Sequence, residues 1–239
     1  VLVGIFAFLG SVLGGHRVMD TLGTGIVKGD LTTGALSVAL ICSGLFVTLA
    51  TFRRLPVSTA QAIVGGVVGI GLAVGSEINY SLFIAIAASW LICPLLSMAL
   101  AFGIVHLIAF TTSRLKVSTI LIRNTLGWMA IGSSCYVAYG LGANNTGVAV
   151  GPIANLGRFS PTLLLAIGGL SIAIGAATYG RRVAYTIGKD ITPLGIPEAL
   201  AAQLSSAFGL HLFAMLGIPV SSSAAIVGAV VGAGLINGV

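Results

Sequence analysis

The sequence predicts an all-α, polytopic transmembrane helical bundle, and three observations carry that prediction. Of its 239 residues, 57% are hydrophobic and only 7% are charged, where soluble domains carry about 25% charged residues; the mean hydropathy is +1.12. The charges gather in short clusters between apolar runs long enough to cross a bilayer, which takes about 20 residues. The third observation is repetition. The stretch "PVSTAQAIVGGVVGIGL" (Pro56–Leu72) returns as "PVSSSAAIVGAVVGAGL" (Pro219–Leu235), with the same Pro-Val-Ser head and the same Val-Val-Gly register.

Taken in order, the first expected helix, 1–14, is an apolar run closed by Gly14-Gly15. The second, 31–52, starts after Asp30 and stops at Arg53-Arg54. Pro56 then separates it from the third, 57–74, whose opening Ser58-Thr59-Ala60-Gln61 fits a capping box, with Ser58 as N-cap and Gln61 reaching back. The fourth and fifth, 80–110 and 123–153, are long for one straight crossing, so tilt or breaks are expected. In the fifth, "GSSCYVAYGLGANNTGVAVGP" places two Asn residues and several glycines where a break is expected. Three further apolar runs follow at 161–178, 197–216 and 220–239.

The repetition extends beyond the opening pair. "GHRVMDTLG" (Gly15–Gly23) matches "GRRVAYTIG" (Gly180–Gly188), and Gly4 and Gly10 align with Gly169 and Gly175. This predicts two repeats within a single membrane domain: residues 1–122, including a connector, and 123–239. The second copy is preceded by "GANNTGVAVGP", for which the first has no counterpart before Val1, so the first repeat is expected to be N-terminally incomplete. Inverted repeats need an odd number of crossings between Gly15 and Gly180. Segments 80–110, 123–153 and 161–178 supply three, so 31–52 and 57–74 must act as a pair, both spanning or both re-entering. Arg114, Lys116, Arg123, Arg181, Arg182 and Lys189 then share one face, against Arg17, Lys28 and Arg158 on the other. The positive-inside bias puts the richer face in the cytoplasm, with the chain in the plasma membrane as a multi-pass protein. Arg53 and Arg54 fall at the tip of the pair.

A helix that starts inside a membrane aims unpaired N–H groups and a partial positive charge at whatever it faces. Hydroxyls add donors, so such an end is a ready anion site. Ser58-Thr59 and Ser221-Ser222-Ser223 head two such helices, each capable as well of being an ordinary capped turn. Together they can surround one tetrahedral oxyanion without burying Arg or Lys, which is costly at the midplane. Gly65/Gly69 and Gly228/Gly232 have the GxxxG spacing of close helix packing, expected to bring the two Ser-headed ends together.

Other classes lack support. A net charge of +6 is scattered, with no basic stripe interleaved with aromatics, so no nucleic-acid partner is expected. Cys42, Cys93 and Cys135 lie in apolar runs at no metal-ligand spacing. HExxH, GxSxG and GxxxxGK[ST] patterns are missing, so the chain is not read as an enzyme and no cofactor is expected. Trp90, Trp128 and Tyr80 read as interface anchors or core, and His106 and His211 as packed or interface histidines. The expected surroundings are the lipid bilayer; self-association into a homo-oligomer stays open.

"PVSTAQAIVGGVVG", "PVSSSAAIVGAVVG", "GANNTGVAVGP" and "TIGKDITPL" resemble the signatures of the inorganic phosphate transporter (PiT) family over essentially the whole chain. The resemblance implies an inverted-repeat secondary transporter of inorganic phosphate, coupled to Na⁺ or H⁺. It implies substrate contacts from Ser58, Thr59, Gln61, Ser221, Ser222 and Ser223, and from Asn144 and Asn145, whose neighbourhood would also hold the coupling ion. This chain departs from the pattern at Asn145, where an Asp is usual, at Val148, where an Asn is usual, and at Gln61 and Ala224, where His is common. An Asn cannot balance the charge of a cation, so the coupling ion stays open. The family's sulfate-permease branch has similar alterations, and sulfate, which only accepts hydrogen bonds, stays the alternative to phosphate, with a passive anion channel as the other alternative to a coupled transporter.

Overall fold

The computed structural model describes residues 1–29, 31–53, 57–114, 118–178 and 194–237. The expectations at Asp30, Arg54, Pro56, Lys116, Arg181, Arg182 and Lys189, and the Gly180–Gly188 copy of the repeat, lie outside these residues. Among the described residues, secondary structure is helical, with one isolated antiparallel bridge between Val27 and Ile78.

Helix α1 (Leu2–Gly14) does not hand over to a loop. Gly15 keeps a right-handed helical conformation (φ −77°, ψ −17°), so the chain continues as α2 (His16–Asp20) and a π-helical turn (Thr21–Gly25), bent by 58°. Two glycines in a row mark a corner here, where the sequence alone suggests a stop. α3 (Thr33–Phe52) and α4 (Thr59–Ala73) pack side by side as a hairpin. Ser43 Oγ donates across it to the Ala62 carbonyl at 2.9 Å. Outside the hairpin, the Lys28 N–H donates to the Glu77 carbonyl (2.8 Å) and the Asn79 N–H to the Ile26 carbonyl (2.9 Å). The chain therefore leaves the hairpin where it entered, so the two segments act as a pair. The Lys28–Glu77 ion pair at 3.3 Å is well exposed and adds little to this closure.

α5 (Tyr80–Arg114) and α6 (Thr119–Ala154) run 35 and 36 residues without interruption, roughly 52 and 54 Å at 1.5 Å per residue. The break expected at Asn144-Asn145 is absent. Asn side chains disrupt helices when they bond to their own backbone; Asn144 bonds instead to a residue on another element, and the helix stays intact. α7 (Pro161–Thr178) packs on α1 and α6, while α8 (Ile196–Met215) and α9 (Ser222–Gly234) form a second hairpin seated against α5 and, through α8, against α6.

Central in the bundle is α6, which touches α1, α2, α4, α7, α8 and α9. Glycines allow the approach: a Cβ on Gly142 would collide with the Ala7 carbonyl, and one on Gly10 with the Tyr139 carbonyl. Small hydroxyls fasten the same contact, with Ser11 Oγ 2.7 Å from Thr146 Oγ1 and 3.2 Å from the Gly142 carbonyl. The outer faces are apolar. On α3, Val38, Ile41, Leu45 and Leu49 form an exposed stripe, as lipid-facing helices require. Among the described residues, α3, α5 and α7 are long and apolar enough to cross a membrane, and the bent α1–α2 pair passes the same test as one unit. At 15 and 13 residues, α4 and α9 extend only about 22 and 20 Å, short of the ~30 Å hydrocarbon core.

Candidate functional site

The two Ser-headed helices both start with a hydroxyl cap. Ser58 is extended (φ −91°, ψ 119°), and its Oγ accepts from the Gln61 N–H at 3.4 Å. Ser221 has φ −79° and ψ 103°, and its Oγ accepts from the Ala224 N–H at 3.2 Å. The cap at Ser58 is half of the box expected: the Gln61 side chain is exposed and makes no bond back to residue 58 among the described residues.

Around Ser221 the surroundings are dense. Asn144, fully buried, donates from Nδ2 to the Val220 carbonyl (2.9 Å) and accepts at Oδ1 from the Val220 N–H (3.0 Å). One amide side chain thus mimics a strand partner for the residue just before the α9 N-cap, fixing the direction in which that helix starts. Asn144 Nδ2 also lies 3.0 Å from Asn145 Oδ1, and the same oxygen accepts from Ser222 Oγ at 3.4 Å. Ser223 Oγ sits 3.3 Å from Ser221 Oγ. From α5, Ser89 Oγ donates to the Pro219 carbonyl at 3.4 Å. The hairpin tip is therefore gripped by α6 on one side and α5 on the other.

Free hydrogen-bonding capacity remains at this end. The backbone N–H groups of Ser222 and Ser223, the first two of α9, have no acceptor among the described residues, and Asn145 Nδ2 makes no hydrogen bond there. These donors, with the half-buried Ser222 and Ser223 hydroxyls, form an electropositive helix end without a formal charge. Among the described residues, no carboxylate takes part in it.

The first Ser-headed helix is tied to the same region through its core face. Ala60, Ile63 and Val64 of α4 share a buried cluster with Ala143 and Val148 of α6 and Ala214 of α8. Ser58 is half-buried, and Thr59 and Gln61 are exposed. The glycine pairs do not act alike. Gly228 and Gly232 press α9 onto the Pro94 and Met98 carbonyls of α5, whereas Gly65 and Gly69 face nothing within 4 Å, and Gly66 packs on Ala39 and Ser43 of α3 instead. The GxxxG pairs thus seat α9 on α5 rather than joining the two Ser-headed ends.

Two participants escape a reading of the sequence. Val220 contributes only its backbone; Ser89 is one hydroxyl in an apolar run. Of the histidines, His106 is exposed and bonds to the Phe102 carbonyl of its own helix (2.8 Å), while His211 stacks on Tyr139 at 5.6 Å between ring centroids. Tyr80 and Trp128 are exposed on the outer surface, and Trp90 is half-buried.

Comparison with known proteins gives the family and the fold. A family model described as the phosphate transporter family matches residues 1–239. A provisionally named phosphate permease of Thermococcus kodakarensis is 28% identical, aligned over 324 residues that take in all of this chain and 80% of the relative. The sulfate permease CysP of Bacillus subtilis is 29% identical over 236 residues, 98% of this chain and 65% of that protein. Among solved structures, one titled as a sodium-dependent phosphate transporter superposes with a TM-score of 0.86 at 24% identity, covering 99% of this chain and 80% of the other.

Proposed function

The chain belongs to the phosphate transporter family, an integral membrane transporter family and not an enzyme family, and from that premise we propose that it is a secondary transporter of inorganic phosphate coupled to Na⁺ or H⁺. The anion is held between two hydroxyl-headed helix starts, α9 at Ser221, Ser222 and Ser223 and α4 at Ser58 and Thr59. Asn145 supplies a side-chain donor, and Gln61 reaches the anion from the first turn of α4. Asn144 acts as a positioning residue, since both ends of its amide hold Val220. The two hairpins belong to inverted repeats, and rocking one against the other exposes the anion to each side in turn.

The single observation that carries this reading is the Asn144–Val220 clamp. It fixes the start of α9 and leaves the Ser222 and Ser223 N–H groups free to donate. Buried donors prearranged in this way favour an anion with no cost of burying a cation. The test is uptake of labelled phosphate into proteoliposomes under a Na⁺ or a proton gradient. Saturable, gradient-driven uptake is expected, falling more than tenfold in Ser221→Ala and in Ser58→Ala. Absence of uptake under both gradients would reject the transport reading, and full uptake in both variants would reject the helix-end site.

Sulfate is the second reading, favoured by one observation. The sulfate permease aligns with 98% of this chain at 29% identity, level with the 28% of the Thermococcus protein. The neutral Asn145 agrees with it, because a carboxylate there would repel a fully deprotonated sulfate. Competition between the two labelled anions decides: the transported anion competes at the lower concentration.

A further inference from the structure

A cavity lies between α1, α2, α6 and α8. Its volume is about 320 Å³, and its polar lining is His16, Arg17, Tyr139 and His211. None of the lining residues is acidic. Arg17 donates through Nη1 to the Met215 carbonyl at the end of α8, which leaves its other guanidinium N–H groups without an acceptor among the described residues. Ion pairing does not neutralise it, because the ion pair found among the described residues is Lys28–Glu77. The Tyr139 hydroxyl and the imidazoles of His16 and His211 likewise have no hydrogen-bond partner there. Tyr139 stacks at 25° on His211, and Tyr136 packs on the same ring at 5.6 Å, so the His211 imidazole is held in place.

One cation and three polar side chains without a protein partner, around a space with no carboxylate among the described residues, match an anion. The cavity borders the elements that carry the first site. Ala143 lines this cavity and is followed in sequence by Asn144 and Asn145; Met215 lines it and ends α8, just before the tip that Asn144 clamps. On the α2 side, a Cβ on Gly217 of that tip would lie 3.0 Å from Thr21 Oγ1 and 3.1 Å from the Arg17 carbonyl, so α2 and the tip are in contact.

We propose that this cavity is a second oxyanion subsite, where Arg17, His16, Tyr139 and His211 receive the anion before it passes to Ser222 and Asn145. The proposal rests on the reading that the chain moves an oxyanion. Arg17 supplies long-range attraction and the first charge-assisted bonds; the neutral helix end takes over once the anion has shed water. A cation at the vestibule and none at the inner site lets the anion be captured without being trapped.

The test measures initial uptake of labelled phosphate by Arg17→Gln and His16→Glu in proteoliposomes. Gln keeps a donor for the Met215 carbonyl while deleting the charge; Glu adds a negative charge to the cavity. The expected result is a KM raised at least fivefold in the first and tenfold in the second, with kcat within twofold of the parent, and recovery of most of the KM in Arg17→Lys. An unchanged KM in both, or a loss confined to kcat, would overturn the subsite. If Ser221→Ala abolishes uptake while Arg17→Gln is harmless, the subsite alone falls. If the parent transports neither anion, the transport reading falls, and equilibrium binding of labelled phosphate still decides: loss of binding in Arg17→Gln supports the subsite, and equal binding overturns it.

Discussion

Asn144 links sequence to site at the scale of single residues. Its amide satisfies both backbone groups of Val220, which is itself fully buried. Removing it leaves a buried N–H and a buried C=O without partners, each costing about 1–3 kcal/mol. Asn144→Ala is therefore expected to lower the melting temperature of the purified protein by at least about 4 °C, at 2–4 °C per kcal/mol for a chain of this size; an unchanged melting temperature would show that the clamp carries no weight. Asn145→Asp probes the neighbouring position differently. It adds a carboxylate beside the amino end of α9, so phosphate KM without Na⁺ should rise at least tenfold, and added Na⁺ should restore it. A KM indifferent to Na⁺ in that variant would count against a cation seat there. Asn144 was conspicuous in the sequence as a polar residue in an apolar run, but its partner lies 76 residues away, and no local pattern announces that pairing.

At the scale of elements, the hairpins show what was legible and what was not. Helix positions were read from the apolar runs, and the caps at Ser58 and Ser221 from a hydroxyl following Pro-Val, because both signals are local. The unbroken course of α6 was hidden, since its glycines and Asn residues look like breakers until α1 and the hairpin tip are present to occupy them. The corner at Gly15 was hidden for a similar reason: a Gly-Gly pair fits an ending and a bend equally well. Gly65 and Gly228 share one position in the repeat yet have different neighbours, and only tertiary structure separates them. A matched pair of substitutions measures this. Gly228→Leu pushes a side chain into the Pro94 carbonyl, where overpacking costs about 1–3 kcal/mol or more; thermal stability should fall by several degrees. Gly65→Leu meets open space and should be tolerated within about 1 °C. Equal effects would contradict the packing described here.

At the scale of the whole molecule, a family match over residues 1–239 and a structural superposition with a TM-score of 0.86 agree with the transmembrane bundle that composition foretold. The composition was decisive because 7% charge leaves a chain of this length no soluble alternative. Substrate choice is less legible at this scale, since phosphate and sulfate share size and shape, and the neutral Asn145 removes the charge that would separate them. In the proposed site, α4 and α9 start at a common anion. Arsenate, a tetrahedral analogue of phosphate whose arsenic scatters anomalously, marks that anion directly in a crystal of the protein. The predicted result is an anomalous peak within hydrogen-bonding reach of the Ser222 N–H and Asn145 Nδ2 on one side and of Ser58 or Thr59 on the other. A peak touching neither helix start, or one bound to α9 alone with Ser58 beyond reach, would contradict it.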